Sequence, residues 1–403
     1  MIARNPVITG LGVVSAAGIG TTNFWMGLQH DTPRFREVSL FPTDDLPNHV
    51  AGEIGPWTSG FDRIDVDRLD TARTATFALA ALNEAISDAD LGGIQPDRVL
   101  VGTTVGDVAD RERGWRQAAR TSAGHPGSLG VDESLRTQIA QHIGSSVPVE
   151  LTVAACAAGN MALIRAAQLI AGGFADVVIC GGAETISRLA FSGFSRMRAM
   201  AQERCRPFSD NQDGMLLGEG SAFLIVESAA HATARDATVL ATIAGYGLTC
   251  DAKHPAAPDP SGEGVARAMT SAIAAADPSE VDYVCAHGTG TPQNDAAEVA
   301  AYLQVFAAPR PPISSIKALI GHSLGAASAI EAVACALVIT HQRTLPQWGL
   351  EEASTSHGVR PATGRRDDPA HIDLVLNNAF AFGGNNTCVG LRRPDTAWGD
   401  TTA

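Results

Sequence analysis

Short apolar runs alternate with longer alanine-rich stretches along most of the chain, and the two patterns predict different elements. Runs rich in Val, Ile and Leu predict strands at 6–9, 98–102, 149–154, 176–180, 222–227, 281–286, 313–315, 373–376 and 388–391. Alanine-rich stretches of helical composition predict helices at 71–87, 157–171, 264–276, 295–306 and 326–341. In Val177-Val-Ile-Cys180 the apolar residues are consecutive, as expected of a strand covered on both faces. Strand–helix alternation therefore predicts an α/β fold with buried, largely parallel sheets. The segment Asp176-Val-Val-Ile-Cys-Gly-Gly-Ala-Glu184 echoes Asp282-Tyr-Val-Cys-Ala-His-Gly-Thr-Gly290, each a strand running into a glycine-bearing turn. The echo suggests a duplicated architecture joined near 230–239, dividing the chain into halves 1–235 and 236–403. Gly/Pro-rich segments at 31–60, 123–130, 252–264 and 345–369 read as surface loops.

Composition narrows the class. With 403 residues, 45% of them hydrophobic, the chain can bury a large core and form more than one domain. The net charge of −14 and the lack of a Lys/Arg cluster argue against a nucleic-acid partner. A local group, Arg111, Arg113, Arg116 and Arg120, reads either as a docking patch for an acidic partner or as a solvated helix face. Seven cysteines without CxxC spacing argue against a zinc site and a disulfide framework, so no metal is expected. Cys180, Cys285 and Cys335 lie in apolar runs and read as core. Gly10-Leu-Gly12 carries Ser15 at the third glycine position of a dinucleotide fingerprint, and no cofactor is expected. There is no signal-like leader and no apolar stretch of about 18 residues, so the expectation is a soluble cytoplasmic protein without a membrane partner.

Cys156 is the most informative residue. It sits where the strand ending at Ala155 meets the small-residue run Ala157-Ala-Gly-Asn160, which opens a helix. Helix N-termini favour thiolate over thiol, so the position predicts a depressed pKa and a reactive sulfur. Two histidines share this strand-to-helix setting. His287 opens Ala286-His-Gly-Thr-Gly-Thr-Pro-Gln-Asn-Asp-Ala-Ala-Glu298, and His322 lies in Ser314-Ser-Ile-Lys-Ala-Leu-Ile-Gly-His-Ser-Leu-Gly325. Glycines permit close approach of a ligand, and Thr289 and Thr291 offer hydroxyl donors. Gly321-His-Ser-Leu-Gly325 also matches the G-x-S-x-G elbow of serine hydrolases. That reading would need Asp367 and His371 as its remaining partners, a poor spacing.

The ordered Cys, His and His motifs resemble the β-ketoacyl-acyl-carrier-protein synthases of the type II class and their type II polyketide relatives. The resemblance extends from Val7-Ile-Thr-Gly-Leu-Gly-Val-Val-Ser15 through Ala154-Ala-Cys-Ala-Ala-Gly159 and Arg206-Pro-Phe-Ser-Asp-Asn-Gln-Asp-Gly214 to Asn377-Asn-Ala-Phe-Ala-Phe-Gly-Gly-Asn-Asn386. It implies a thiolase-like duplicated five-layer αβαβα fold and decarboxylative Claisen condensation. Its partners would be an acyl carrier protein bearing phosphopantetheine thioesters and a second ketosynthase-like chain, in a homodimer or a heterodimer with a chain-length partner. Under it, Cys156 takes the acyl group, and His287 and His322 stabilise the enolate. Lys317 pairs with Glu298 beside them, Phe382 gates the acyl pocket with Phe380 nearby, and Thr289, Thr291 and His254 contact substrate. The chain departs from the family pattern at Ala381, where glycine is usual between the two phenylalanines. It departs again at Asn385 and Ala256, where threonine is common, and in a shorter 197–206 segment.

Overall fold

A computed structural model describes residues 4–120, 135–273, 276–350, 358–365, 369 and 371–394, without the side chains of Thr71, Gln117, Ala118 and Arg120. The principal strands of the first half are β1 (Pro6–Ser15), β2 (Arg98–Gly102), β3 (Val149–Thr152), β4 (Val177–Glu184) and β5 (Gly220–Ser228). Those of the second are β6 (Ala241–Cys250), β7 (Val281–Cys285), β8 (Ile313–Ser314), β9 (Leu374–Ala381) and β10 (Asn385–Arg392). The first set pairs in the order β3-β2-β4-β5-β1 and the second in the order β8-β7-β9-β10-β6. Numbered within its own half, each order is 3-2-4-5-1. In each, the second strand runs parallel to the third and fourth, and the fifth is antiparallel to the fourth and first. The blocks meet edge to edge where Val7 pairs with Thr242 and Ile8 with Ala241.

Topology thus carries the duplication, with two corrections to the sequence reading. The echo between 176–184 and 282–290 links β4, the fourth strand of its half, with β7, the second of the other. Common burial explains that likeness, because any covered strand running into a turn reads the same way. The sheets are also mixed and not largely parallel. β9 and β10 are joined by the tight turn Phe382–Gly384, and a connection that short permits only antiparallel pairing.

Helices α1 (Leu69–Asp88), α2 (Val108–Arg120), α3 (Ala158–Ala171), α4 (Arg188–Arg196), α5 (Glu263–Ile273), α6 (Pro292–Val305) and α7 (Ala327–His341) complete the layers. α3 and α7 pack on each other and on strands of both sheets, forming the central layer. α1 covers β1 and β5 from outside, and α5, flanked by α6, covers β6 and β10. The result is the thiolase-like αβαβα stack. Its tightness explains the small-residue composition. A Cβ on Gly12 would lie 1.9 Å from the Ala81 carbonyl oxygen of α1, and one on Gly159 would lie 2.5 Å from the Ala329 nitrogen of α7. The segment Leu324–His341 is long and apolar enough to cross a membrane by composition, but 89% of it is buried inside the protein, where it forms the core.

β6 and the helix α4 were not expected from the sequence pattern, while α2 is the helix whose face carries the arginine group. β6 reads Ala241-Thr-Ile-Ala-Gly-Tyr-Gly-Leu-Thr-Cys250, and its glycines dilute the apolar signal because α5 crosses there; a Cβ on Gly247 would lie 2.0 Å from the Ala268 carbonyl oxygen. The helix expected over 264–276 is α5, and residues 274–275 lie outside the described residues. The loop expected at 123–130 and much of that at 345–369 also lie outside them.

Candidate active site

The two halves converge on Cys156. α3 begins two residues after it, and the preceding Ala155 holds a left-handed φ of 46°, so the chain turns sharply at the sulfur-bearing residue. A polar knot behind it joins the halves. Asn160 Nδ2 donates to the Asn377 carbonyl (3.1 Å), Asn377 Nδ2 donates to Asn160 Oδ1 (2.8 Å) and to the Ser328 carbonyl (2.9 Å), and the Ser328 hydroxyl donates to the Cys156 carbonyl (3.4 Å). All three knot residues are fully buried, so α3, α7 and β9 are held in one register beneath the thiol.

His287 follows directly from the end of β7, and His322 lies in the turn between the short helix Lys317–Ile320 and α7. One ligand atom each from Cys156, His287 and His322 lie within 4.8 Å of one another, and all three residues are buried. The imidazoles meet edge to face, with centroids 5.2 Å apart at 83°, and Phe380 lies edge-on to His287 at 5.7 Å. Lys317 Nζ lies 3.4 Å from His287 Nδ1. Burial first, and the Lys317 charge second, hold both imidazoles well below the ordinary histidine range, so they are neutral at physiological pH.

The expected Lys317–Glu298 pair does not form. Lys317 pairs with Glu331 on α7, while the Glu298 carboxylate accepts the backbone N–H groups of His287 (2.9 Å) and Gly288 (2.8 Å) and a side-chain N–H of Asn378 (3.0 Å). Glu298 sits on α6, the helix that continues the His287 turn, so its carboxylate folds back onto its own loop. Glu331 faces Lys317 across the turn and is the counter-charge. Its signal was present in the sequence, as the single charged residue in an otherwise apolar helix. Burial raises the carboxyls of Glu298 and Glu331 to about 7. Glu184 at the end of β4 was also missed. It accepts N–H groups from Thr104, Val105 and Gly325, tying the loop after β2 to the turn that carries His322, and burial raises its pKa to about 7.

The expectation of a depressed Cys156 pKa is overturned. Burial pushes the thiol up to about 12, although the Lys317 charge and a backbone N–H pull the other way. Desolvating a thiolate costs more than a helix terminus returns when water is excluded.

A cavity of about 360 Å³ opens above the triad. Thr289 and Thr291 line it and share a hydrogen bond of 2.9 Å, and the buried Cys205 thiol donates to the Thr289 carbonyl at 3.1 Å from below. Phe382 stands 40% exposed at the mouth, its ring 5.7 Å from Phe194 of α4. Beside it Ala381 has an extended backbone (φ −137°, ψ 158°), while Gly383 takes a left-handed φ of 84°. His254 is placed differently from its expected substrate-contacting role. It is exposed, its Nδ1 accepts N–H groups from Ala256 (3.0 Å) and Ala257 (2.9 Å), and the cavity wall on that side is Ala256, Ala257 and Pro258. The arginine group on α2 is largely spent within its own surroundings. Arg111 pairs with Asp107, Arg113 pairs with Asp110, and Arg116 lies over the Phe41 ring; the Arg120 side chain lies outside the described residues. For the hydrolase alternative, Asp367 lies outside the described residues, and His371 is exposed beside Asp373.

Comparison with known proteins matches this arrangement over nearly the whole chain. Residues 4–232 match the family model described as Beta-ketoacyl synthase, N-terminal domain, and residues 240–351 match Beta-ketoacyl synthase, C-terminal domain. A 3-oxoacyl-[acyl-carrier-protein] synthase 2 of Synechocystis sp. is 33% identical over 415 residues, covering 97% of this chain and 98% of its own. Among solved structures, the ishigamide ketosynthase/chain length factor superposes with a TM-score of 0.86 at 33% identity, over 97% of this chain and 100% of that one. AntDE:AntF, a type II polyketide acyl-carrier protein in complex with its ketosynthase bound to the hexaketide, gives 0.85 at 27% identity, over 98% and 100%.

Proposed function

The chain belongs to the beta-ketoacyl synthase family, and we propose that it joins a Cys156-bound acyl chain to malonyl-acyl carrier protein by decarboxylative Claisen condensation. The observation that carries this reading is the buried convergence of one thiol and two neutral imidazoles at the floor of a cavity. It is a C–C bond-forming acyltransferase of fatty-acid or, preferred here, type II polyketide or polyene synthesis. The departures at Ala381, Asn385 and Ala256 favour a specialised product over a housekeeping one.

The two halves, 1–235 and 236–403, then divide the work, the first bringing the nucleophile and the second the imidazoles. An acyl-carrier thioester enters and the Cys156 sulfur attacks its carbonyl. Because the thiol is neutral, its proton must leave in that step, and a neutral imidazole is the acceptor at hand. The acyl group passes to sulfur and the carrier leaves as the free thiol. A malonyl-carrier thioester follows, and loss of CO2 leaves an enolate. Lys317 can only donate, so His287 Nδ1 accepts and its Nε2 keeps the proton that stabilises the enolate oxygen. His322 donates beside it. The enolate carbon attacks the Cys156 thioester, and the backbone N–H groups of Cys156 and Phe382 stabilise the resulting oxyanion. Loss of one such donor typically costs a factor of about 100–1000 in rate. Collapse of the oxyanion breaks the C–S bond, and the lengthened β-ketoacyl chain leaves on the carrier that brought the malonyl group. The Cys156 sulfur takes a proton from water to return to the neutral thiol.

The partners follow from the chemistry. Acyl and malonyl groups arrive on an acyl carrier protein. A second ketosynthase-like chain, identical or a chain-length partner, covers the edge strand β3 and the residue after it, where Leu151 and Val153 are 42% and 70% exposed. A reducing cytoplasm suits the seven unpaired cysteines. A non-catalytic, pocket-shaping role would leave Cys156 and its buried supports without use.

Intact-mass analysis after incubation with a panel of acyl-carrier thioesters tests the reading. The expected result is a gain equal to the acyl group, absent in Cys156→Ala. No gain with any chain length, alone or with candidate partner chains, would overturn it.

A further inference from the structure

Cys156, His287 and His322 are far apart in sequence and show no metal-ligand spacing, yet the fold turns them into a compact donor set. We propose that this triad binds Zn²⁺ through Cys156 Sγ and one nitrogen of each imidazole, and that zinc and the acyl group compete for the same sulfur. The geometry is close to that of a tetrahedral ion. Zinc–nitrogen bonds of about 2.0–2.1 Å place two ligated imidazole centroids roughly 5 Å apart. The observed separation is 5.2 Å, with the rings nearly perpendicular. The donor atoms, within 4.8 Å of one another, must draw in to the roughly 3.4–3.6 Å that such bonds require, a movement within reach of side-chain rotation.

Donor chemistry selects the metal. A thiolate with two imidazoles suits zinc, while magnesium and calcium prefer oxygen. Three protein ligands leave one tetrahedral position, facing the cavity, for water. His322 Nδ1 is buried without a hydrogen-bond partner among the described residues, so that ring is not pinned in one tautomer and either nitrogen can present a lone pair. As zinc binds, the S–H bond breaks, an S–Zn bond forms and that proton leaves to solvent. Lys317 turns fully to Glu331 and the His287 proton exchanges from Nε2 to Nδ1, so that Nε2 presents its lone pair to the metal; no electrons are transferred. The Lys317 ammonium beside His287 opposes a second cation, and its Glu331 counter-charge limits that penalty. The site is therefore a reversible inhibitory one, weaker than a structural zinc site.

Titration of the purified full chain with ZnCl2 by calorimetry, and with Co²⁺ by absorption, tests this. The expected result is one ion per chain at micromolar affinity, with a thiolate-to-cobalt charge-transfer band. Both signals vanish in Cys156→Ala and in wild-type protein already acylated at Cys156, a comparison that needs no variant to fold. Zinc at ten times its Kd slows acyl loading about elevenfold, and EDTA restores the rate. Binding that persists undiminished in the acylated protein, or that appears only at millimolar zinc, would overturn the proposal and mark exposed histidines as adventitious ligands.

Discussion

Lys317 Nζ stands between two buried partners, 3.4 Å from His287 Nδ1 and paired with the Glu331 carboxylate. The ammonium therefore orients an imidazole, and the carboxylate makes its burial tolerable. Removing only the cation leaves Glu331 buried without its counter-charge, so its carboxyl, already raised to about 7, rises further and holds a proton at neutral pH. Lys317→Met is expected to lose stability in urea titrations, more at pH 9 than at pH 6 and up to about 3–5 kcal/mol where Glu331 must ionise. Lys317→Met with Glu331→Leu should recover most of that, because an apolar pair of similar volume replaces the ion pair. Condensation should stay impaired in the double variant, since His287 has lost the donor that sets its tautomer. A single variant as stable as the parent at pH 9 would show that the pair carries no buried charge.

Cys156 should react as a neutral thiol in the resting protein. Its pKa is raised from 9.0 to about 12, so the thiolate fraction grows across the whole accessible alkaline range. Iodoacetamide alkylation of Cys156, followed by peptide mass spectrometry, is expected to rise about tenfold per pH unit from 7 to 10 without a plateau. The sign for stability follows from the same shift. The folded form holds its proton more tightly than the unfolded form, so the contribution is complete below about pH 9 and is lost as pH rises from there towards 12. Saturation of the alkylation rate near pH 8 would mean that the helix terminus prevails after all.

Glu298 is a loop-shaping carboxylate, since it accepts the N–H groups of His287 and Gly288. An amide has only one oxygen, and its NH2 would face one of those donors. Glu298→Gln is expected to cost about 1–3 kcal/mol through the unsatisfied donor and to lower kcat roughly tenfold by loosening the His287 turn. Acyl loading of Cys156 should change less than condensation, because His287 acts in the second half-reaction. Equal losses in both steps, measured by intact mass and by product formation, would count against this division.

Phe382 rests on Phe194 at the cavity mouth, with space on its solvent side. Phe382→Ala should speed loading by bulky or branched acyl-carrier thioesters and leave short linear ones nearly unchanged. Phe194→Ala should act in the same direction, and the pair should be less than additive because each ring supports the other. Ala381 adopts an ordinary extended backbone, so Ala381→Gly is expected to leave the melting temperature nearly unchanged while easing movement of the Phe382 turn. Size-independent loading rates across the parent and both alanine variants would remove Phe382 from the gate.

Much of the chemistry was legible along the chain. Cys156 and His287 each sit at a strand-to-helix junction among small residues, and such local signals survive in one dimension; His322 shares the glycine-flanked setting, but the structure puts the short helix Lys317–Ile320 between the strand and it. The α/β class followed from apolar runs and alanine-rich stretches, because burial on both faces imposes uninterrupted hydrophobicity. Pairings across the fold were not legible. Glu331 rather than Glu298 meets Lys317 because α7 crosses the turn that carries the lysine, a distance set by layer packing and not by sequence spacing. The thiol pKa followed the same rule, since the helix terminus is a local feature and the desolvation that outweighs it belongs to the closed interior. Residue types and their local settings were thus determined by the sequence itself. Which donors, charges and strands face one another was decided only when the two 3-2-4-5-1 halves closed around their shared central helices, because Coulomb and desolvation energies depend on through-space distance and burial.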